Sequence, residues 1–184
     1  MLTYLKTQQI LDTAQLIHSE QVISQTLQRL AAEITQQLAH QQPLVLCVMN
    51  GAVVFAGQLL PQLHFPLDFD YVHLTRYDNK LQGGSIHWRV ESKENVCDRT
   101  ILVLDDILDE GITLTAIRDK LLKNGAKAFY SAVLAEKELD KPKSFHADFV
   151  GLSVPNRYVF GFGMDIYGAW RNLPAIYAMT DQVL

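Results

Sequence analysis

The sequence ILVLDDILDEGITLTA, residues 101–116, decides the fold prediction for this chain of 184 residues. The four apolar residues at 101–104 are typical of a short strand that is buried on both faces. The strand runs into adjacent carboxylates, Asp105 and Asp106, and Thr113 opens a helix. A buried strand followed by a helix is the unit of an α/β sheet, whose ligands bind at the carboxyl ends of the strands. We therefore expect a ligand site in the loop between this strand and its helix.

The loop has two chemically different halves. Gly111 allows a tight turn that points successive backbone N–H groups at one anion, and Thr113 adds a hydroxyl at the helix N-terminus. Asp105 and Asp106 can accept hydrogen bonds from vicinal hydroxyls, or hold Mg²⁺ through water. Asp109 lies between the two halves, where it can transfer a proton or steady a developing positive charge. A phosphate cradle beside a diol or metal site is typical of a sugar-phosphate site.

Two simpler interpretations of the acidic loop account for less of its sequence. A helix N-terminus favours acidic residues, but that preference does not require the four acids that lie at 105–110 beside a buried strand. A Mg²⁺-binding phosphoacceptor domain also uses an acidic pair at a strand end, but it gives no reason for Gly-Ile-Thr at 111–113. The chain has no Walker A motif, and the Gly-Phe-Gly at 161–163 is not followed by the third glycine of a dinucleotide fingerprint.

Composition and charge predict one globular domain spanning 1–184. Hydrophobic residues make up 48% and charged residues 20%, and 16 Lys and Arg against 20 Asp and Glu give a net charge of −4. This mild acidity argues against a nucleic-acid partner. No apolar run approaches the ~20 residues of a membrane span, and no signal-peptide segment opens the chain, so we predict a cytoplasmic protein. Cys47 and Cys97 are interpreted as buried thiols.

Apolar periodicity predicts the other elements. A helix with one apolar face begins after Ser19 as N-cap and ends before Pro43. Further strands are predicted at 44–49, 69–74, 129–135, 149–154 and 175–179, and helices at 52–60 and 113–124. The polar, glycine-rich segment 76–84 is predicted to be a mobile loop, and 86–90 is predicted to return as an antiparallel strand. The alternation predicts an α/β fold, a twisted parallel sheet flanked by helices.

The acidic loop resembles the phosphoribosyl-pyrophosphate signature of the purine type I phosphoribosyltransferases: four apolar residues, two acids, two apolar residues, then D-x-G-x-T. Three further stretches make the chain similar to the hypoxanthine-guanine phosphoribosyltransferases. They are VLCVMNGAVVFAGQLL at 45–60, Lys137 with DFVGLSVPNRYVFGFGMD at 148–165, and Asp165 six residues before Arg171 in MDIYGAWRNL. The resemblance as a whole spans roughly residues 19–181, which is nearly the whole chain.

The resemblance implies a type I phosphoribosyltransferase fold, with a small hood built from the N- and C-terminal parts and a mobile hairpin lid. The lid corresponds to 76–84, where Arg76 and Tyr77 stand in place of the usual Ser-Tyr and would contact the substrate. Family members often carry Lys or Arg where this chain has Asn50. Since Asn50 has no positive charge, Asn50 and Gly51 would bind pyrophosphate through their backbone N–H groups. In the family, this turn can include a non-proline cis peptide bond.

The resemblance also assigns roles around the sugar phosphate. Asp105 and Asp106 would face the ribose hydroxyls, and Asp109 would be the catalytic acid or base near purine N7. The 5′-phosphate would be held by the loop residues Glu110, Gly111, Ile112 and Thr113.

On the base side, Lys137 would donate to the purine O6 and so favour an oxo-purine over adenine. Adenine has an amino donor at that position, and two donors that face each other both stay unpaired. Tyr158 would stack on the base, and the backbone at Val159 would contact the ring edge. Asp165 would hold the Mg²⁺ cofactor together with Asp105 and Asp106, and Arg171 would meet the phosphates.

The implied activity is purine salvage. The enzyme would transfer 5-phosphoribose from 5-phosphoribosyl 1-diphosphate to N9 of hypoxanthine or guanine, giving IMP or GMP and pyrophosphate. Its partners would be these small molecules, with no nucleic acid and no membrane, and the family implies a homodimer or homotetramer. Two alternatives stay open: a xanthine-preferring phosphoribosyltransferase, and a nucleotide-sensing RNA-binding regulator on the same fold. The regulator would need a basic face, which a chain of charge −4 does little to supply.

Overall fold

The structure, a computed structural model, describes residues 3–77 and 85–180, except for the side chains of residues 76, 77 and 85. In chain order the elements are α1 (Tyr4–Thr13), β1 (Gln15–His18), α2 (Glu20–Leu38), β2 (Leu44–Met49), α3 (Val53–Leu59), a 3-10 turn (Leu60–Gln62), β3 (Asp68–Tyr77), β4 (Ser85–Val90), β5 (Thr100–Leu108), α4 (Ile112–Lys123), β6 (Ala128–Lys137), β7 (Phe149–Val154), β8 (Val159–Phe160) and β9 (Ile176–Ala178).

The main sheet has six strands in the order β4-β3-β2-β5-β6-β7. All neighbouring pairs are parallel except β3 and β4, which form an antiparallel hairpin. The central strands β2 and β5 are buried over most of their length, because helices cover the sheet and α2, α3 and α4 all pack against its strands. The predicted α/β fold is therefore confirmed, and the carboxyl ends of β2 and β5 lie side by side.

Helix α2 forms as its pattern predicts. Ser19 Oγ accepts a hydrogen bond from the backbone N–H of Val22 at 3.4 Å, which caps the N-terminus. The helix buries one face, made of residues at steps of three and four: Ile23, Thr26, Leu27, Leu30, Ala31, Ile34 and Leu38. No described helix combines the length and apolar character that crossing a bilayer requires.

A second, antiparallel sheet of the order β1-β9-β8 joins the two ends of the chain. It has its own small core, in which Ile10 of α1 is buried with Phe160 and Ile166. The indole N–H of Trp170 donates to the Thr7 carbonyl at 2.8 Å and ties this core to α1. This unit is the predicted hood, although α1, β1 and β8 themselves were not predicted.

Two details differ from the sequence predictions. Strand β3 continues through Tyr77, so Arg76 and Tyr77 belong to the hairpin strand and not to the predicted loop, whose remaining residues 78–84 lie outside the described part. Cys97 is exposed, because it lies in the surface turn before β5, whereas Cys47 is buried as predicted. Burial, together with the charges of Asp105 and Asp106, raises the pKa of the Cys47 thiol to about 12 and makes it unreactive.

Asp70 holds the base of the hairpin. Its carboxylate accepts hydrogen bonds from Ser92 Oγ at 2.7 Å, from the Lys93 backbone at 2.8 Å and from the Tyr71 backbone at 2.8 Å. Burial acts to raise the pKa of Asp70, but these hydrogen bonds outweigh it and lower the pKa below its usual value.

Asp70→Asn is expected to lower the free energy of unfolding by about 1–3 kcal/mol near neutral pH, because the amide keeps only one acceptor oxygen and its NH2 group faces a backbone N–H donor. A depressed folded-state pKa stabilises the fold above the unfolded pKa of about 3.9, and the gain is lost as pH falls through the folded value. Urea unfolding of both proteins at pH 7, 5 and 3 should show the difference shrink only at pH 3. The same shrinkage in Glu94→Gln, an exposed control, would contradict this assignment.

Candidate active site

An open cleft of about 510 Å³ lies at the carboxyl ends of the central strands. Its walls come from the turn after β2, the loop after β5, the β3–β4 hairpin and the hood. The lining residues are Val48, Met49, Asn50, Gly51, His73, Leu74, Thr75, Arg89, Asp105, Asp106, Ile107, Leu108, Asp109, Gly111, Thr113, Leu114, Asp165 and Arg171. This is the position at which open α/β sheets bind ligands.

The turn after β2 packs tightly against its neighbours. The Met49–Asn50 peptide bond is cis, as the resemblance suggested. A Cβ atom on Gly51 would overlap with the Asp106 carboxylate, and a Cβ atom on Gly163 would overlap with the Gly51 carbonyl oxygen. Glycine is therefore required at both positions, and their contact joins the hood to the turn.

The two carboxylates at the end of β5 are held by backbone hydrogen bonds. The Asp106 N–H donates to Asp105 Oδ1 at 3.0 Å, and the Ile107 N–H donates to Asp106 Oδ1 at 2.9 Å. Burial raises the pKa of Asp106, and the hydrogen bonds and the Arg171 charge oppose that shift only in part. Hydroxyl donors or a cation brought by a substrate would compensate the desolvation of the partly buried Asp106 carboxylate.

The start of α4 lies where the phosphate cradle is predicted. Gly111 has φ of 88° and precedes the helix, whose first N–H groups receive no side-chain cap. A Cβ atom at Gly111 would overlap with the side chain of Phe145, so the turn lies directly against the segment after β6. Uncapped N–H groups at a helix N-terminus favour an anion.

The segment after β6 supports this loop from behind, a role that the sequence analysis missed. Lys143 Nζ lies 2.9 Å from Glu136 Oε1, and the Lys143 side chain is only 8% exposed. Lys141 Nζ contacts Glu110 Oε1 at 2.6 Å, and Ser144 Oγ donates to the Glu110 carbonyl at 3.0 Å. A charged run such as EKELDKPK at 136–143 is by itself typical of a solvated surface and gives no signal of this support.

Lys143→Met is expected to lower the free energy of unfolding by about 1–3 kcal/mol, because it leaves the partly buried Glu136 without its cation. Chemical denaturation gives the value. The matched control is Lys141→Met, whose ion pair with Glu110 is exposed and should contribute little. Equal losses in the two variants would contradict the assignment of Lys143 as the buried support.

A smaller pocket of about 250 Å³ adjoins the cleft under the hood. It is lined by Asp106, Ile107, Asp109, Lys137, Tyr158, Val159, Met164 and Asp165. Lys137 Nζ lies 3.0 Å from Asp109 Oδ2, with side chains 16% and 40% exposed. The parallel register of β5 and β6, which pairs Leu108 with Glu136, brings the two side chains together from distant positions in the chain.

An aromatic wall closes the other side of this pocket. The Tyr158 ring stacks on Tyr167, with centroids 6.2 Å apart and planes inclined by 19°. Burial, followed by the charge of Asp165 and the neighbouring Tyr167, raises the pKa of Tyr158. The phenol is therefore neutral at physiological pH, and its ring offers a flat surface to an aromatic ligand.

Asp165 and Arg171 form the hood side of the cleft. Arg171 Nη2 lies 2.5 Å from Asp165 Oδ1, and Arg171 Nη1 donates to the Gly163 carbonyl at 2.6 Å. Asp165 Oδ2 also accepts the Gly168 N–H at 2.7 Å. These bonds fix both side chains at the mouth of the cleft.

The structure brings most of the predicted residues to the two adjoining cavities. Glu110 and Ile112 lie in the same loop without lining either cavity, and the side chains of Arg76 and Tyr77 fall outside the described part. The sequence analysis missed Arg89 and Met164, because an arginine inside a predicted strand and a methionine beside a glycine carry no specific signal.

The carboxylates of the cleft fit a Mg²⁺ ion that is bound together with a substrate, and not one that is held by the protein alone. Within residues 3–77 and 85–180, no group of three or more His, Cys, Asp or Glu side chains is placed to hold a metal alone. Asp105, Asp106 and Asp165 nevertheless line one cleft. That arrangement fits Mg²⁺, which is commonly bound through one or two carboxylates together with water and the phosphates of a substrate.

Comparison with known proteins agrees with this geometry. The phosphoribosyl transferase domain family matches residues 14–167. The chain is 30% identical over 174 residues to the hypoxanthine-guanine-xanthine phosphoribosyltransferase of Tritrichomonas foetus, covering 94% of each protein. It is 30% identical over 173 residues to the hypoxanthine-guanine phosphoribosyltransferase of Bacillus subtilis, covering 94% of this chain and 96% of that protein.

Solved structures show the same fold. A hypoxanthine-guanine-xanthine phosphoribosyltransferase superimposes with a TM-score of 0.83 at 29% identity, covering 92% of this chain and 99% of the other. A hypoxanthine phosphoribosyltransferase from Staphylococcus aureus reaches a TM-score of 0.86 at 21% identity, covering 92% of each chain. The chain therefore belongs to the phosphoribosyltransferase family and, within it, is a purine enzyme of type I.

Proposed function

We propose that this enzyme transfers the 5-phosphoribosyl group of 5-phosphoribosyl 1-diphosphate to N9 of hypoxanthine or guanine. The products would be IMP or GMP and pyrophosphate. The observation that carries the proposal is the continuity of the two cavities: paired carboxylates and a phosphate cradle share one cleft, and a pocket with a lysine and an aromatic wall opens beside them. The order of these groups along the two cavities matches a ribose phosphate joined to an oxo-purine.

The larger cleft would bind the donor. The backbone from Glu110 to Thr113 would hold the 5′-phosphate at the N-terminus of α4. Asp105 and Asp106 would accept hydrogen bonds from the ribose hydroxyls, and Asn50 and Gly51 would offer backbone N–H groups to the diphosphate. The relatives whose names include these purines support the proposed reaction, since they match this chain over nearly its whole length.

The smaller pocket would select the base. Lys137 has three N–H donors, so one can stay on Asp109 while another meets the O6 atom of an oxo-purine. Adenine presents an amino donor at that position and would leave both groups unpaired. Tyr158 would cover the ring, and the Val159 backbone would contact its edge.

The reaction forms the C1′–N9 bond and breaks the bond between C1′ and the diphosphate oxygen. Asp109 would accept the proton that the base loses at N7, and its carboxylate would also stabilise the positive charge that develops on the ribose ring. Arg171 would face the departing phosphates from the hood. Asp105, Asp106 and Asp165 would hold Mg²⁺ in the cleft, and the ion would supply charge neutralisation for the leaving group. Catalysis would thus rest on positioning and electrostatics.

The experiment is pyrophosphate release from 5-phosphoribosyl 1-diphosphate across a panel of bases, with and without Mg²⁺. We expect release with hypoxanthine and guanine, dependence on Mg²⁺, and none with adenine or uracil. Release that is fastest with xanthine would favour the xanthine-preferring alternative; the name of the Tritrichomonas relative includes xanthine beside hypoxanthine and guanine. An absence of release with every purine would contradict the proposed function.

Several other expectations stay predictions. They are the single domain over 1–184, the cytoplasmic location, the homodimer or homotetramer, and the absence of nucleic-acid and membrane partners.

A further inference from the structure

The charges of the cleft are poorly matched to a diphosphate. Among the described residues, Asp105, Asp106, Asp109 and Asp165 line it, and its charged basic residues are Arg89 and Arg171. Arg171 is already paired with Asp165 and with the Gly163 carbonyl. Arg89 makes no hydrogen bond or ion pair in the described part of the chain, and its side chain is exposed in the cleft. Within the part of the chain that the structure describes, Arg89 is therefore the unpaired cation of the cleft that can meet an incoming anion.

A β-bulge accounts for the position of Arg89. In the β3–β4 hairpin, His73 pairs with Val90 and Leu74 pairs with Trp88, so Arg89 is the extra residue on β4. Bulges of this kind occur beside active sites, where they redirect a side chain. The strand on either side is anchored to α4, since Lys120 Nζ lies 4.2 Å from the Trp88 ring centroid and 2.5 Å from Glu91 Oε1.

The sheet order indicates which phosphate Arg89 can reach. Met49, the last residue of β2, pairs with His73, which pairs in turn with Val90. The bulge is thus two strands from the Asn50-Gly51 turn, or about 10 Å at the usual strand spacing. The 5′-phosphate cradle follows β5, a further strand away on the far side of β2. An arginine side chain at the bulge is therefore nearer to the Asn50-Gly51 turn than to the 5′-phosphate cradle.

We propose that Arg89 binds the diphosphate group of the phosphoribosyl donor, opposite the Asn50-Gly51 turn. This inference rests on the proposed function, and it adds a binding residue from the second strand of the hairpin. The turn at 49–52 reads Met-Asn-Gly-Ala and carries no basic side chain. A guanidinium pairs with phosphate oxygens in a bidentate manner, which suits a multiply charged diphosphate.

Calorimetric titration tests the inference with three probes: pyrophosphate with Mg²⁺, 5-phosphoribosyl 1-diphosphate with Mg²⁺, and IMP. In Arg89→Gln we expect Kd for the two diphosphate probes to rise about 10- to 100-fold, the loss of a charge-assisted hydrogen-bonded pair. Kd for IMP, which has only the 5′-phosphate, should stay within about twofold. Arg89→Lys should lie between wild type and Arg89→Gln. Lys93→Gln, which removes an exposed charge just beyond β4, is the matched control and should match wild type.

Two results would overturn the inference while leaving the proposed function intact. One is unchanged pyrophosphate binding in Arg89→Gln, and the other is an equal loss of IMP and pyrophosphate affinity. If wild type itself bound none of the three probes, the proposed function would fail instead. Circular dichroism verifies that each variant is folded, and Arg89→Lys provides the same comparison if Arg89→Gln unfolds.

Discussion

Asp109→Ala is expected to lower kcat by roughly 100- to 10,000-fold, the range typical of a lost general acid or base. The Asp109 carboxylate lies at the junction of the two cavities and 3.0 Å from Lys137 Nζ, where the base and the sugar would meet. Its side chain is 40% exposed, so truncation leaves no closed cavity in the core. Truncation does, however, leave the Lys137 ammonium, which is only 16% exposed, without its carboxylate, so the free energy of unfolding should fall by about 1–3 kcal/mol while the protein still folds.

Steady-state kinetics and urea unfolding, measured on the same preparations, separate these two effects. Asp119→Ala is the matched control, because it removes an exposed carboxylate of α4 that pairs with Arg118 outside the cleft. Asp109→Asn keeps the shape of the side chain and should lose activity almost as severely as Asp109→Ala. A near-normal kcat in Asp109→Ala would show that this carboxylate has no part in proton transfer.

Gly163→Ala is expected to reduce both stability and activity strongly. A methyl group there would overlap with the Gly51 carbonyl oxygen, so the hood and the turn after β2 would have to separate. Gly163 also has φ of 101°, which costs an alanine about 1–2 kcal/mol by itself. With the overlap added, we expect a loss of more than about 3 kcal/mol in unfolding free energy. Displacement of Gly51 should also weaken pyrophosphate binding.

Gly168→Ala separates these two causes. Gly168 has φ of 86°, but a Cβ atom there would meet no atom within 4 Å. This variant should lose only the conformational term of about 1–2 kcal/mol, and its loss of activity should be smaller than that of Gly163→Ala. Thermal unfolding and kcat/KM of the two variants give the comparison. Equal losses in both would show that the contact between Gly163 and Gly51 contributes nothing beyond backbone conformation.

The central part of the fold was predictable because burial there produces unmistakable patterns. Strands β2 and β5 are buried on both faces, and their apolar runs at 44–49 and 101–104 have few other interpretations. The hood was harder to predict from the residue pattern alone. Its strand β8 has two residues and β1 has four partly exposed ones, too short for a periodic pattern. Only the resemblance indicated that the chain ends meet there.

The residues of the site likewise fall into those that local sequence predicts and those that only the fold brings together. The acidic loop was predictable, since its residues are adjacent in the chain and local spacing fixes their relation. The contact between Lys137 and Asp109 depends on the register of β5 and β6, which no local pattern reveals. The bulge at Arg89 and the buried pair of Lys143 with Glu136 depend likewise on tertiary packing. The side chains that set charge and selectivity are thus largely those that the fold brings together.

The decisive measurement is the stoichiometry of products when the purified enzyme, Mg²⁺ and 5-phosphoribosyl 1-diphosphate are mixed with hypoxanthine. We expect IMP and pyrophosphate to appear in equal amounts and at the same rate, and Asp109→Ala to lose both together. Pyrophosphate release without IMP would indicate hydrolysis of the donor, and the absence of both products would contradict purine transfer by this site.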